Sequence, residues 1–247
     1  MCYGVSRVKK SITQMEERFE AKYNPADHAL FKNVYHESGF SRAKAEVITS
    51  QDFNAFQFFH WGLVPYWSQK WEDVMGPSYN TLNAKSETVF TTRSYQHCIE
   101  TQRCLIPVSG FFESMDVKGK KYPHYIYLKN NDMFCLAGIY DYWTHPQTGE
   151  KIGTYSILTV EANELMAQIH NLKKRMPVII PRELESAWVT PELTKSSIDK
   201  LMIQYPSDQM EAYPIPKFAN STKADRNVPE VLQPFHYPEL NQQGGLF

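Results

Sequence analysis

The chain has little cysteine, and what it has forms no pattern. Cys2, Cys98, Cys104 and Cys135 make no C-x-x-C pair and no Cys/His zinc spacing, so neither a metal site nor a cofactor follows from them. Free thiols in a reducing cytosol are the expectation. Long apolar runs are also missing. Nowhere do about 18 apolar residues follow one another, and the N-terminal MCYGVSRVKKS is too polar for a signal peptide. A cytoplasmic chain without membrane contact is expected. Nor is there an excess of either charge: 26 Lys and Arg face 27 Asp and Glu, a net charge of −1. That excludes binding to nucleic acid through bulk positive charge, and leaves room for a local basic groove. Internal repeats and low-complexity tracts are absent.

What is present is core-forming material. The 247 residues are 42% hydrophobic and 14% aromatic, against 21% charged, which excludes general disorder. Residues 11–23 open on Ser11-x-x-Gln14, a capping-box pattern, with Ile12, Met15 and Phe19 at helical spacing. Then come short aromatic-rich, β-prone runs at 56–64, 103–112, 122–128, 133–143 and 154–160, with 144–151 as a hairpin loop. Brief helices are expected at 162–169, 182–188 and 196–205. The pattern is α+β: a curved antiparallel sheet or barrel-like core with peripheral helices. From Lys217 the chain turns rich in Pro, Asn and Gln. The division expected is a domain over 1–218 and a tail over 219–247 that packs on it or extends from it.

Four segments carry chemistry. Removal of Met1 leaves Cys2 with an α-amine of pKa ~8 beside a thiol of ~8.5. Such a 1,2-aminothiol condenses with an aldehyde to a Schiff base and closes a thiazolidine ring through sulfur. It also serves as an N-terminal nucleophile in amide hydrolysis, or it is an ordinary small residue in a first strand. The polar segment Asn80–Thr88 holds Asn83, whose amide suits a sugar hydroxyl or an oxyanion, Lys85 for a phosphate, and Glu87 to pair with a base; a helix cap and solvated turn is the plain alternative. RCLIPVSGFFE, residues 103–113, is an apolar run ending on Glu113. A carboxylate between aromatics tends to a raised pKa and shuttles a proton near neutrality, unless it is paired at the surface. His170 follows a helix beside Lys173, Lys174 and Arg175. Like charge biases it to the neutral form, for acid/base work or as an incidental residue of a basic loop.

Taken in order, these segments resemble the SOS-response-associated peptidase family, also called abasic site processing proteins. The resemblance rests on Met1-Cys2, His60-Trp61-Gly62-Leu63-Val64-Pro65-x-Trp67, Asn83-Ala84-Lys85-Ser86-Glu87, the 103–113 run and His170…Arg175-Met176-Pro177. It spans residues 1–181, and more loosely reaches 218. It implies an α+β fold around a β-barrel-like core and a monomer that binds single-stranded DNA and crosslinks its abasic sites, at the nucleoid when acting on DNA. Cys2 would join C1′ of the opened deoxyribose and Asn83 would position the N-terminus and sugar. Glu113 would transfer protons, and His170 would act during ring opening. Trp67 would stack on bases, with Trp61 either beside it or in the core. Phosphate contacts would come from Arg7, Lys85, Arg103, Lys173, Lys174 and Arg175. The chain departs from the family pattern in four places. Tyr3-Gly4 follows Cys2 in place of Gly-Arg, Lys85 replaces an arginine, and Ser114 replaces a tryptophan. His170 stands five residues before Arg175 rather than two, so three residues must loop out. Two other readings remain: a cysteine (auto)peptidase with Cys2, His170 and Glu113 as nucleophile, base and orienter, and a non-catalytic module for single strands or modified bases.

Overall fold

The computed structural model describes residues 2–9, 11–71, 81–130 and 132–240. Met1, Asn80 and the terminal 241–247 lie outside them. Five strands close into a barrel: β3 (Lys44–Thr49), β4 (Phe56–Trp61), β6 (Arg103–Val108), β9 (Phe134–Thr144) and β10 (Lys151–Glu161). Neighbours run antiparallel except at the closure, where β10 meets β4 in parallel, with Thr154 opposite His60. Closure removes the free sheet edges that long aromatic strands would otherwise expose. Below His60, β10 takes a second parallel partner, the short β5 (Asn83–Lys85), with Ile157 opposite Asn83. The strands β11 (Arg175–Pro177) and β12 (Ile179–Ile180) pair with β10 and β9.

A second, antiparallel sheet has the order β13-β8-β7-β1-β2, from Met210–Pro214, Lys120–Leu128, Gly110–Val117, Gly4–Arg7 and Val34–Ser38. The run expected as one strand over 103–112 is therefore two. The chain leaves the barrel at Ser109, whose N–H donates to the Ser6 carbonyl at 2.9 Å and whose hydroxyl accepts from the Val8 N–H at 3.0 Å. Gly110 follows because the Tyr125 ring packs on it: a Cβ there would lie 2.4 Å from the ring. Glu113 is consequently mid-strand, not at a strand end.

Helices lie outside the sheets. Ser11 forms the expected capping box, but α1 covers only Ile12–Phe19, ending at Glu20 in the left-handed region (φ 53°). The others are α2 (Gln96–Thr101), α3 (Glu164–Ile169), α4 (Glu185–Val189) and α5 (Lys195–Leu201). The 144–151 loop joins β9 to β10 as expected. Residues 217–240 lie on the second sheet: Val231 is fully buried with Phe112 and Tyr125, and the Tyr237 hydroxyl donates to the Ile215 carbonyl at 2.7 Å. Among the described residues no helix is long and apolar enough to cross a membrane.

Candidate active site

Two tryptophan-motif residues fix the chain beside Asn83. Trp61 is fully buried, and its indole N–H donates to the Leu82 carbonyl at 2.9 Å, which fixes the chain just before Asn83. Gly62 adopts φ 117°, a region that excludes ordinary side chains, and donates its N–H to the Tyr155 carbonyl at 2.8 Å. A Cβ at Gly62 would sit 1.9 Å from the Arg42 guanidinium. So Trp61 belongs to the core, and the motif acts through β5 and β10.

Cys2 enters β1 with no exposed surface; its thiol donates to the Gly4 carbonyl at 3.5 Å. Asn83, opening β5, donates its amide to the Cys2 carbonyl at 2.9 Å. The Asn83 Oδ1 is buried without a hydrogen-bond partner among the described residues. Burial, with the nearby Glu113 carboxylate second, pushes the Cys2 thiol well above its ordinary range. A thiol held protonated in this way is not a standing thiolate.

Glu113 and His170 meet across the cleft, with His170 Nε2 3.8 Å from Glu113 Oε2. Burial raises Glu113 to about 7, against the lowering influence of the Ser114 N–H and Lys173. Burial also lowers His170 to about 4, with Lys173 and Lys121 adding like-charge repulsion and the Arg175 carbonyl opposing. Near neutrality this contact is a neutral imidazole facing a half-protonated carboxyl, not an ion pair. The ordinary order of the two groups is inverted, and the carboxyl is the one of the two that titrates near neutrality.

The three extra residues after His170 loop out as expected. His170 ends α3, its carbonyl accepts the Lys174 N–H at 2.8 Å, and Lys174 takes φ 48° to close the turn. Leu172 is left exposed at the tip. His170 Nδ1 lies 2.8 Å from the Arg175 carbonyl, which orients the ring and leaves Nε2 toward Glu113. Asn171 then pins the turn to β7: its side chain donates to the Asp116 carbonyl at 2.8 Å and accepts the Asp116 N–H at 3.0 Å. Asn171 escaped the sequence reading because one asparagine in a polar turn carries no local signal.

A cleft of about 790 Å³ opens over this pair, with Phe40, Phe112, Lys121, Lys173 and Arg226 among its walls. Lys121, Arg226 and the exposed Phe40 were not expected there. Long-range folding brings them in: Lys121 from the β7–β8 hairpin, and Arg226 from the C-terminal segment, which Asn227 ties to the Tyr35 N–H at 2.8 Å.

The sequence-predicted cations divide sharply. Lys173 lines the cleft, while Lys174 and Lys85 are exposed. Trp67 is partly exposed, with the Arg93 guanidinium 4.4 Å over its ring. Arg175 is committed to the Glu87 carboxylate and the Thr159 carbonyl, where it holds β11 on β10. Arg103 is wholly buried and donates to the carbonyls of Ile99, Glu100, Trp188, Thr190 and Pro191, clamping α2 to α4. Arg7 is buried beside Glu37 at 2.5 Å and Glu46 at 3.5 Å, and Lys9 pairs with Glu46. Neither Arg7 nor Arg103 lines the cleft, and both guanidinium groups are buried, which corrects the expectation that these two are open to a phosphate. Removing one partner of a buried pair leaves an uncompensated charge. Arg7→Ala is therefore expected to cost about 3–5 kcal/mol of stability in denaturant unfolding. A stability unchanged in Arg7→Ala would contradict this structural role.

The comparisons with known proteins fit this architecture. The model of the SOS response associated peptidase (SRAP) family matches residues 1–222, and the chain belongs to that family. It is 33% identical over 213 residues to the abasic site processing protein YoqW of Bacillus subtilis (strain 168), covering 84% of this chain and 90% of that one. With the abasic site processing protein HMCES of Gallus gallus it shares 31% identity over 195 residues, covering 70% of this chain and 56% of the longer relative. A solved structure of a protein from Bacteroides thetaiotaomicron superposes with a TM-score of 0.87 at 32% identity, covering 95% of this chain and 100% of the other.

Proposed function

We propose that this chain, after loss of Met1, captures abasic sites in single-stranded DNA by a covalent thiazolidine link through Cys2. The observation that carries this reading is that Asn83 holds the Cys2 carbonyl beneath a cleft lined by Glu113 and His170, with Glu113 close enough to push the buried Cys2 thiol up. The names of the relatives point to the same substrate. In the reaction the freed amine of Cys2 attacks C1′ of the ring-opened deoxyribose, and water leaves as the imine forms. The thiol then adds to the imine carbon, and its proton passes to the imine nitrogen. Glu113, carrying a proton half the time near pH 7, gives one to the departing hydroxyl and takes one from the thiol, which burial keeps protonated. His170, neutral at that pH, accepts through Nε2 during ring opening. The unmet Oδ1 of Asn83 is suited to accept from the new amine or a sugar hydroxyl, which relieves a buried orphan acceptor. The reading carries with it a monomer acting in the cytoplasm, at the nucleoid, and the reaction as written draws only on the chain's own groups.

The strand would run past Lys121, Lys173 and Arg226, with Phe40 available for stacking. Few phosphate contacts are expected, because the net charge is −1. Lys173→Ala and Arg226→Ala should each make the log–log salt slope of reversible binding shallower by about 0.7, the single-strand value per phosphate. Slopes unchanged in both variants would move the strand out of this cleft. The function itself is tested with an oligonucleotide holding one abasic site. A band shift that survives denaturant supports it, whereas reversible binding alone supports a non-catalytic module. Peptide cleavage without a shift supports a peptidase.

A further inference from the structure

Away from the cleft, three side chains of different chemistry converge where α2 packs on the barrel. His97 and Cys98 are neighbours in α2, and Asp141 comes from β9. The His97 Nε2 lies 3.0 Å from Asp141 Oδ2 and 3.2 Å from Cys98 Sγ. In a nucleophile–histidine–carboxylate relay the sulfur and the carboxylate sit at opposite ring nitrogens. Here the carboxylate faces Nε2 while the sulfur lies beside the ring, 3.2 Å from Nε2 and 3.7 Å from Nδ1, so it is not placed at the opposite nitrogen alone. The cluster gathers three donors of different kinds, one nitrogen, one sulfur and one oxygen, all within 4.8 Å of one another.

The carboxylate is held in place by groups that leave the third ligand position to it. Asp141 Oδ2 accepts the Tyr66 N–H at 2.8 Å, Oδ1 accepts the Tyr142 N–H at 2.8 Å, and Gln102 approaches Oδ1 at 3.5 Å. The Tyr66 ring meets the His97 ring edge-on at 5.0 Å. Cys98 is fully buried and Asp141 nearly so, while about a third of the His97 side chain is open to solvent. One side of the cluster is thus closed by protein and the other is open to a water molecule.

We propose that His97, Cys98 and Asp141 form a binding site for a divalent ion of the zinc class, with water as the fourth ligand. Metal–nitrogen, –sulfur and –oxygen bonds of about 2.0–2.3 Å in a tetrahedron set neighbouring donors roughly 3.2–3.7 Å apart, so the nitrogen must draw back slightly from the oxygen at 3.0 Å and the sulfur at 3.2 Å, within a set in which no pair exceeds 4.8 Å. The mixed N, S, O set favours zinc or cobalt over calcium and magnesium, which take oxygen alone. On binding, Cys98 becomes a thiolate and its proton passes to solvent, one per ion. The ion would tie α2 to β9 and, through Tyr66, to the loop that carries Trp67. No sequence spacing announces the site, because the third ligand is 44 residues away from the first.

The test uses the whole chain, stripped of metal and kept reduced with a phosphine, and titrated with cobalt(II). A thiolate-to-cobalt absorption band saturating at one equivalent, displaced by zinc, is expected. It should persist in Cys2→Ala, vanish in Cys98→Ser, and require at least tenfold more cobalt in His97→Ala. Zinc should raise the Tm of the unaltered chain and leave that of His97→Ala unmoved. Absence of the band in the unaltered chain would overturn the proposal and leave a His97–Asp141 pair beside a spectator thiol. A band lost in Cys2→Ala but kept in Cys98→Ser would overturn it in favour of the N-terminal aminothiol. His97 is partly exposed, so its variant decides the matter even if Cys98→Ser fails to fold.

Discussion

Replacing Cys2 with alanine is expected to abolish the denaturant-stable adduct while reversible binding to the same oligonucleotide stays within about twofold. The alanine chain keeps its α-amine, so the Schiff base still forms, but the ring cannot close without sulfur. Borohydride should trap that imine in Cys2→Ala at a yield comparable to the unaltered protein. The fold should survive, since Cys2 contributes a small side chain and one weak thiol bond to the Gly4 carbonyl. Its loss is on the order of 1 kcal/mol, the ordinary scale for a point substitution. An adduct from Cys2→Ala that withstands denaturant without reduction would remove the aminothiol from the mechanism.

Glu113→Gln carries the second large effect. General acid–base catalysis contributes about 10²–10⁴ in rate, so adduct formation should slow by at least 10²-fold. The unaltered protein should show an inflection in rate near pH 7, the value to which burial raises Glu113, and the glutamine variant should keep only that of the attacking amine at about 8. His170, at about 4, does not titrate in that window. Stability should move the other way. The Glu113 pKa is raised from an ordinary carboxylate value to about 7 in the fold, so its neutral form is the favoured one. That advantage is complete at acid pH below the ordinary value, and it is lost as pH rises through 7. Glutamine does not titrate. Glu113→Gln should therefore be more stable than the unaltered protein at pH 8, by on the order of 3 kcal/mol at 1.4 kcal/mol per pH unit. The difference should close toward pH 4. Denaturant midpoints at the two pH values check the sign; a variant less stable at pH 8 would mean that the carboxylate is welcome in the fold.

Cys2, Asn83, Glu113 and His170 stand out as candidates because their segments, each weak alone, occur together in an order that resembles one family. The β-rich texture likewise declares itself through the aromatic runs, although 103–112 hides the point at Ser109 where the chain changes sheets. What sequence reading misses is the fate of charge. Arg7 and Arg103 look like any other cation in a linear string, yet one is buried on Glu37 and the other on a set of backbone carbonyls. Only the three-dimensional pairing tells a structural arginine from one open to phosphate. The converse holds for Arg226, which reaches the cleft through a C-terminal segment that local patterns do not connect to Glu113, while Lys121 reaches it from a hairpin where it is paired with Asp116 at 3.1 Å. His170 is the instructive intermediate. Its altered spacing is visible in the sequence, but the turn that absorbs it depends on Lys174 entering the left-handed region and on Asn171 binding β7.

The most direct measurement is the intact mass of the adduct formed between the chain lacking Met1 and an oligonucleotide containing one abasic site, followed by peptide mapping. A thiazolidine predicts the summed masses less one water, located on the N-terminal peptide, with the Cys2 thiol no longer alkylated by iodoacetamide. An adduct on any other residue, or one in which the Cys2 thiol remains free to alkylate, would contradict it.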